Sequence, residues 1–213
     1  MKTNLKTAKN EKTEIICCGI FKNEMMQILP LLPPSLDVNI TFLESALHDN
    51  ENNLNAALDM VVNEIAHNGA HNEKKIAFFY GSMCHPDMCG IACACGAQCF
   101  SQANCIDVFL RNEEKQKLEN GQNVHFMTSG WIEFWKDIFC GRNNNGWDST
   151  TARINLGVND KIILLDSGCT KITDEDVLEI FDYIDLPVEI EKITLDYFLE
   201  NVKKLLGMES TSA

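Results

Sequence analysis

Six of the ten cysteines fall within twenty-two residues, CHPDMCGIACACGAQCFSQANC, at Cys84, Cys89, Cys93, Cys95, Cys99 and Cys105. Glycine and alanine separate many of them, and small residues let a backbone wind tightly around a bound group. The segment from Cys84 to Cys105 is therefore expected to be a ligand-rich loop. Cys89, Cys93, Cys95 and Cys99 follow one another at steps of four, two and four, which is neither the zinc-knuckle spacing nor the bacterial ferredoxin run. Thiol density carries the expectation more than spacing does: an iron–sulfur cluster, with 4Fe–4S first, and zinc as the alternative, since thiolates suit both. A disulfide-tied loop or a set of small buried thiols are the plainer readings.

The compartment decides between metal and disulfides. The start, MKTNLKTAKNEKTE, is polar and basic and lacks the apolar core and small-residue cleavage site of a secretory signal. The apolar runs are a handful of residues long, such as residues 76–80, far short of the ~18 that a membrane span needs. A cytoplasmic location is expected, where clustered cysteines more often mean metal or redox chemistry than disulfides. At 213 residues the chain can bury a core without covalent staples. A formal net charge of -13 and the absence of any Lys/Arg-rich run argue against nucleic acid or an anionic membrane as partner.

Along the chain, residues 1–13 read as a disordered polar arm. Residues 15–19, IICCG, read as a buried strand leading into a turn, and residues 23–29 as a short helix stopped by Pro30. A strand over 38–43 follows. Leu54, Ala57, Leu58, Val61 and Ile65 fall at helical spacing, which predicts an amphipathic helix over 52–66. Residues 76–80 make a third strand before the cysteine segment. Beyond it, a helix is expected over 106–117, a strand over 124–127, an aromatic helix over 131–139, and a loop at GRNNNGWDSTT. A strand over 162–165, a helix capped by Thr173 and running to Ile184, a strand over 188–190 and a terminal amphipathic helix complete the chain. Strands alternating with helices imply a parallel, doubly wound α/β architecture. The division expected is two small Rossmann-like lobes around a cleft, residues 14–120 and 121–213.

Ligands of parallel α/β sheets bind beyond the carboxyl ends of the strands. Cys17 and Cys18 close the first strand, His48 lies past the second, Cys84 and His85 follow the third, and Cys169 follows the strand at 162–165. Soft ligands at four strand exits suggest one shared pocket. Adjacent strand residues face opposite sides, so only one of Cys17 and Cys18 can point into it. Cys140, His67, His71 and His125 read as core, packing or surface residues.

The segments IICCGIFKNEM, LHDN, YGSMC, NCI and TSGWIE together resemble DUF1638, a family of methanogens and anaerobic bacteria often encoded near corrinoid methyltransferases. The resemblance spans residues 14–207. Its pattern has a cysteine in the first strand, a Leu-His-Asn segment, a Tyr-Gly-x-Cys-Gly segment and a His-Asp-Cys triplet. Those match Cys18, Leu47 with His48, the stretch from Tyr80 to Cys84, and Cys105. Asp49 stands for the asparagine, Ala103 and Asn104 for the His-Asp pair, and one extra residue precedes Cys84. The resemblance implies a shared three-thiolate site of Cys18, Cys84 and Cys105. It leaves Cys89, Cys93, Cys95 and Cys99 as additions of this chain.

Two functional readings follow. In the first, the chain is a metal- or iron–sulfur-binding accessory protein of corrinoid-linked one-carbon metabolism, serving electron delivery, cofactor maturation or thiolate-mediated metal or methyl handling with a protein partner. Its ligands come from Cys18, Cys84, Cys89, Cys93, Cys95, Cys99, Cys105 and Cys169. In the second, Cys84 is the nucleophile of an enzyme acting on a small substrate in the cleft, with His48 or His85 as base. No phosphate loop, dinucleotide fingerprint or serine-hydrolase pattern is present.

Overall fold

The computed structural model describes residues 12–45, 47, 50–67, 74–141 and 146–208. The buried strands are continuous apolar runs, IICC, IAFF and IILL, the composition of parallel strands covered on both faces. Strand β1 (Lys12–Cys18) leads through a single 3-10 turn into helix α1 (Lys22–Ile28). Next come β2 (Asp37–Leu43), α2 (Glu51–His67), β3 (Lys74–Phe79), α3 (Met88–Ala94), β4 (Ala97–Cys99) and α4 (Asn112–Glu119). The second half holds β5 (Val124–Thr128), α5 (Trp131–Cys140), α6 (Ser149–Leu156), β6 (Lys161–Asp166), α7 (Asp174–Ile184), β7 (Val188–Lys192) and α8 (Asp196–Leu205). Two wholly parallel sheets result, in the orders β2-β1-β3-β4 and β5-β6-β7. The α/β, doubly wound architecture expected of the sequence is the one found.

Side-chain alternation along β6 divides the interior. Ile163 and Leu165 point into a large core shared with the first sheet, while Ile162 and Leu164 face a smaller one with Trp135, Phe139, Ile180 and Ile184. Helix α8 returns from the second sheet to the first. Its Phe198 stacks on Phe109 at 4.7 Å between ring centroids and tilts against Phe21 at 5.7 Å. Its Asn201 accepts from Gln102 at 2.8 Å and donates to the Val108 carbonyl at 3.1 Å. The terminal helix thus belongs by packing to the four-stranded sheet.

Four expectations change. The cysteine segment is not a loop: α3 and β4 occupy much of it, and β4 extends the first sheet by pairing with β3. Helix α6 starts inside the stretch read as a loop, because Asp148 accepts from the Thr151 N–H at 2.7 Å and caps a turn whose Ser-Thr-Thr start carries little helical preference. The helix expected from 106 begins at Asn112, since Asn104 Oδ1 accepts from the N–H groups of Ile106 and Asp107 and holds that stretch in a turn. Strand β1 starts at Lys12, within the stretch read as an arm. Among the described residues no helix is long and apolar enough to cross a membrane.

Candidate functional site

The exits of β1, β3 and β4 meet helix α5 of the second sheet around a cavity of about 110 Å³. Cys18, Ile20 and Phe21 come from the β1 exit, Tyr80, Met83 and Cys84 from the β3 exit, and Asn104 and Cys105 from the segment after β4. Trp131 and Ile138 close it from α5. The lining is mostly apolar, and its polar exceptions are three thiols, a phenol, an amide and an indole N–H.

Local backbone geometry explains the convergence. The β3 and β4 exits run side by side, with Ser82 N–H donating to the Gln102 carbonyl and Met83 N–H to that of Ala103, each at 2.9 Å. Gly81 permits the approach, because a Cβ there would sit 2.4 Å from the Ala103 oxygen. A turn from Gly81 to Cys84, closed by a 3.0 Å bond, then brings Cys84 to the cavity, while the Asn104 turn places Cys105 there. Across the junction, Gly130 lies so close to Ile20 that a Cβ would meet its carbonyl oxygen at 2.0 Å.

Electrostatics ties the thiols together. Burial, with smaller contributions from Cys105 and Cys84, pushes the Cys18 thiol up to about 12. Burial followed by the neighbouring Cys84 does the same to Cys105, also to about 12. Burial raises Cys84 as well. All three are therefore neutral thiols at neutral pH. The Tyr80 hydroxyl and Trp131 Nε1 lie close enough to perturb Cys18 and Cys105 respectively, yet neither completes a hydrogen bond, so both are buried polar atoms without a partner among the described residues. Tyr80 is only 1% exposed. An unmet phenol in an apolar cavity is costly and marks where a ligand would be welcome.

The other candidates lie elsewhere. Cys17 is wholly buried on the opposite side of β1, its thiol 3.4 Å from the Cys18 carbonyl, as strand alternation requires. Cys89 and Cys93 are exposed on α3, with Cys95 just after that helix and Cys99 at the end of β4. Cys169 sits past β6 beside Ser167. Cys140 donates to the Tyr183 hydroxyl at 3.1 Å. His85 is buried, and its Nδ1 accepts from the Asp87 N–H at 3.0 Å, which leaves Nε2 to carry the proton without a partner among the described residues. His48 and His71 lie outside the described residues. Among the described residues no three His, Cys, Asp or Glu side chains form a ready chelating group. The eight cysteines weighed as ligands thus separate into a cavity-lining trio of which Cys18 is the most buried, a group on and between α3 and β4, and Cys169 at the second sheet.

Sequence reasoning passed over Tyr80 as a polar group, Trp131 and Glu24. Glu24 could have been found: with Phe21, Met25 and Ile28 it lies on the apolar stripe of α1, an unusual place for a carboxylate.

A family model described as "Protein of unknown function (DUF1638)" matches residues 42–202. No curated protein matches the chain.

Proposed function

Because this chain belongs to the DUF1638 family, whose description assigns no function, we propose from the site itself that it is a metal- or iron–sulfur-binding accessory protein, with Cys18, Cys84 and Cys105 as its ligands. The observation that carries this reading is that three strand exits of one sheet deliver three thiols to one apolar cavity lined also by Tyr80, whose hydroxyl has no partner among the described residues. The donor set is chemically apt: three soft sulfurs suit a thiophilic metal or a cluster, and three ligands leave a position open for a fourth donor. The thiols share the cavity without forming a ready chelate, so the fit is one of donor chemistry.

When bound, an iron–sulfur cluster supplies one-electron exchange, whereas zinc supplies activation of a thiol or water. The chain's own part is to exclude water with Phe21, Trp131 and Ile138, to release thiol protons on loading, and to offer the Tyr80 hydroxyl as a donor. Since burial holds Cys18 and Cys105 protonated up to about 12, uptake is proton-coupled and strengthens as pH rises. The role is electron delivery, cofactor maturation, or thiolate-mediated metal or methyl handling in the cytoplasm, with a protein partner in corrinoid-linked one-carbon metabolism. The alternative of a cysteine nucleophile has less support, because His85 has no free lone pair to serve as base and all three cavity thiols are pushed away from ionisation.

The test is iron, sulfide and zinc content of protein prepared without oxygen, for the native chain and for Cys18→Ser, Cys84→Ser, Cys105→Ser and Cys140→Ser. Bound metal is expected to fall severalfold in the first three variants and to persist in the last. A native chain that stays metal-free after reconstitution with iron and sulfide, or with zinc, would overturn the proposal.

A further inference from the structure

Away from the cavity, helix α3 turns directly back into edge strand β4 through Cys95 and Gly96, the latter at φ +64°. This tight return sets Cys89 beside Cys99, with sulfurs 3.9 Å apart and both thiols free. A disulfide requires about 2.05 Å between sulfurs, so closing the gap takes roughly 2 Å of side-chain movement. Cys89 is exposed and Cys99 is half-buried. One sulfur is therefore open to an outside reagent and the other waits behind it. Among the described residues no third donor completes a chelating group here. Two adjacent sulfurs without a third suit two-electron dithiol chemistry better than a metal.

We propose that Cys89 and Cys99 form a thiol–disulfide exchange site that reacts with a low-molecular-weight disulfide. The Cys89 thiolate attacks one sulfur of the incoming disulfide, whose S–S bond breaks and whose second half leaves as a thiolate. The Cys99 thiolate then attacks the Cys89 sulfur, forming the internal disulfide and expelling the remaining half. The two protons lost from Cys89 and Cys99 pass to the two departing thiolates. One disulfide is reduced to two thiols while two protein thiols are oxidised to one disulfide, so atoms and electrons balance. The site is separate from the cavity thiols and does not depend on what the cavity holds.

The full chain, reduced and then exposed to oxidised glutathione over a range of ratios to reduced glutathione, is acid-quenched, alkylated and mapped by mass spectrometry. The native chain is expected to lose two hydrogens and to yield a cross-linked peptide joining Cys89 to Cys99. Cys99→Ser is expected to trap a stable glutathione adduct at Cys89, and Cys89→Ser to react at least tenfold more slowly at Cys99. Cys93→Ser, with its neighbour removed, should keep the 89–99 link. A native chain that stays reduced across the series, equal reaction at Cys93, or a Cys99→Ser protein without an adduct at Cys89 would each overturn the proposal. Circular dichroism of each variant confirms that the comparison is between folded proteins.

Discussion

Ser129 donates a 2.6 Å hydrogen bond to Glu24 Oε1, joining the exit of β5 in the second sheet to helix α1 beneath the first. Ser167, past β6, donates to the same oxygen at 2.9 Å and lies 2.7 Å from the Ser129 hydroxyl. Glu24 and Ser129 are both completely buried. A carboxyl group so placed must find its partners within the protein; Oε1 finds two on the other sheet, while Oε2 has none among the described residues.

Ser129→Ala should therefore destabilise the protein by about 1–3 kcal/mol, the cost of leaving a buried acceptor short of a partner. Ser167→Ala should cost less, because its bond is longer and less enclosed. Removing both is expected to cost more than the sum, since each serine can partly cover for the other. Urea unfolding of the two single variants and the double variant measures all three values.

Tyr80→Phe separates ligand binding from folding. Its hydroxyl has no partner among the described residues, so its removal should leave stability unchanged or raise it by up to about 1 kcal/mol. Metal retention should nevertheless weaken if the hydroxyl serves the bound group. Thermal melts and metal titration of one preparation read both effects, and a large loss of stability would count against an unmet phenol.

Glu14 gives a pH dependence of known sign. Burial alone would raise its carboxyl, but the 2.6 Å bond from Asn39, together with Lys74 at 3.2 Å and Lys12 at 3.5 Å, outweighs it and holds the group below the usual glutamate range. A depressed folded-state pKa means that the group stabilises the fold at pH above its unfolded value and loses that contribution as acid carries the pH down through the folded value. Stability against pH should therefore fall less steeply below about pH 4.3 in Glu14→Gln than in the native chain, from a lower plateau at neutral pH.

Thiol labelling should follow exposure and ionisation together. Iodoacetamide at neutral pH is expected to reach Cys89 and Cys93 first. Cys18 and Cys105, both pushed to about 12, should lag by a hundredfold or more on the order of their lower thiolate fraction. Peptide mapping over time resolves the order, and early labelling of Cys18 would show that the cavity is open and ionised.

Much of the fold could be read from periodicity, because parallel strands announce themselves as short apolar runs between amphipathic helices. The strands at IICC, IAFF and IILL are examples. Cysteine density misled where α3 and β4 occupy the segment expected to be a loop: glycine and alanine license tight turns but equally permit a short helix packed on a sheet edge. Cys18 and Cys84 were legible as residues at strand exits, while Cys105 joined them only through the family resemblance. The division of the remaining cysteines was not, since it depends on the direction in which α3 returns to β4. Nor could the partnerless state of Tyr80 be read, because an unmet hydrogen bond is a property of three-dimensional neighbours.

Helix α8 also bears on how the chain is made. The aromatic contacts of Phe21 and Phe109 are completed by Phe198, which leaves the ribosome long after both. Until then the emerging four-stranded sheet carries an uncovered aromatic surface, and its core must wait for α8. A stop codon shortly before Asp196 would consequently injure the four-stranded sheet although every one of its strands has already been made, and such truncated products should be sticky targets for chaperones and proteases.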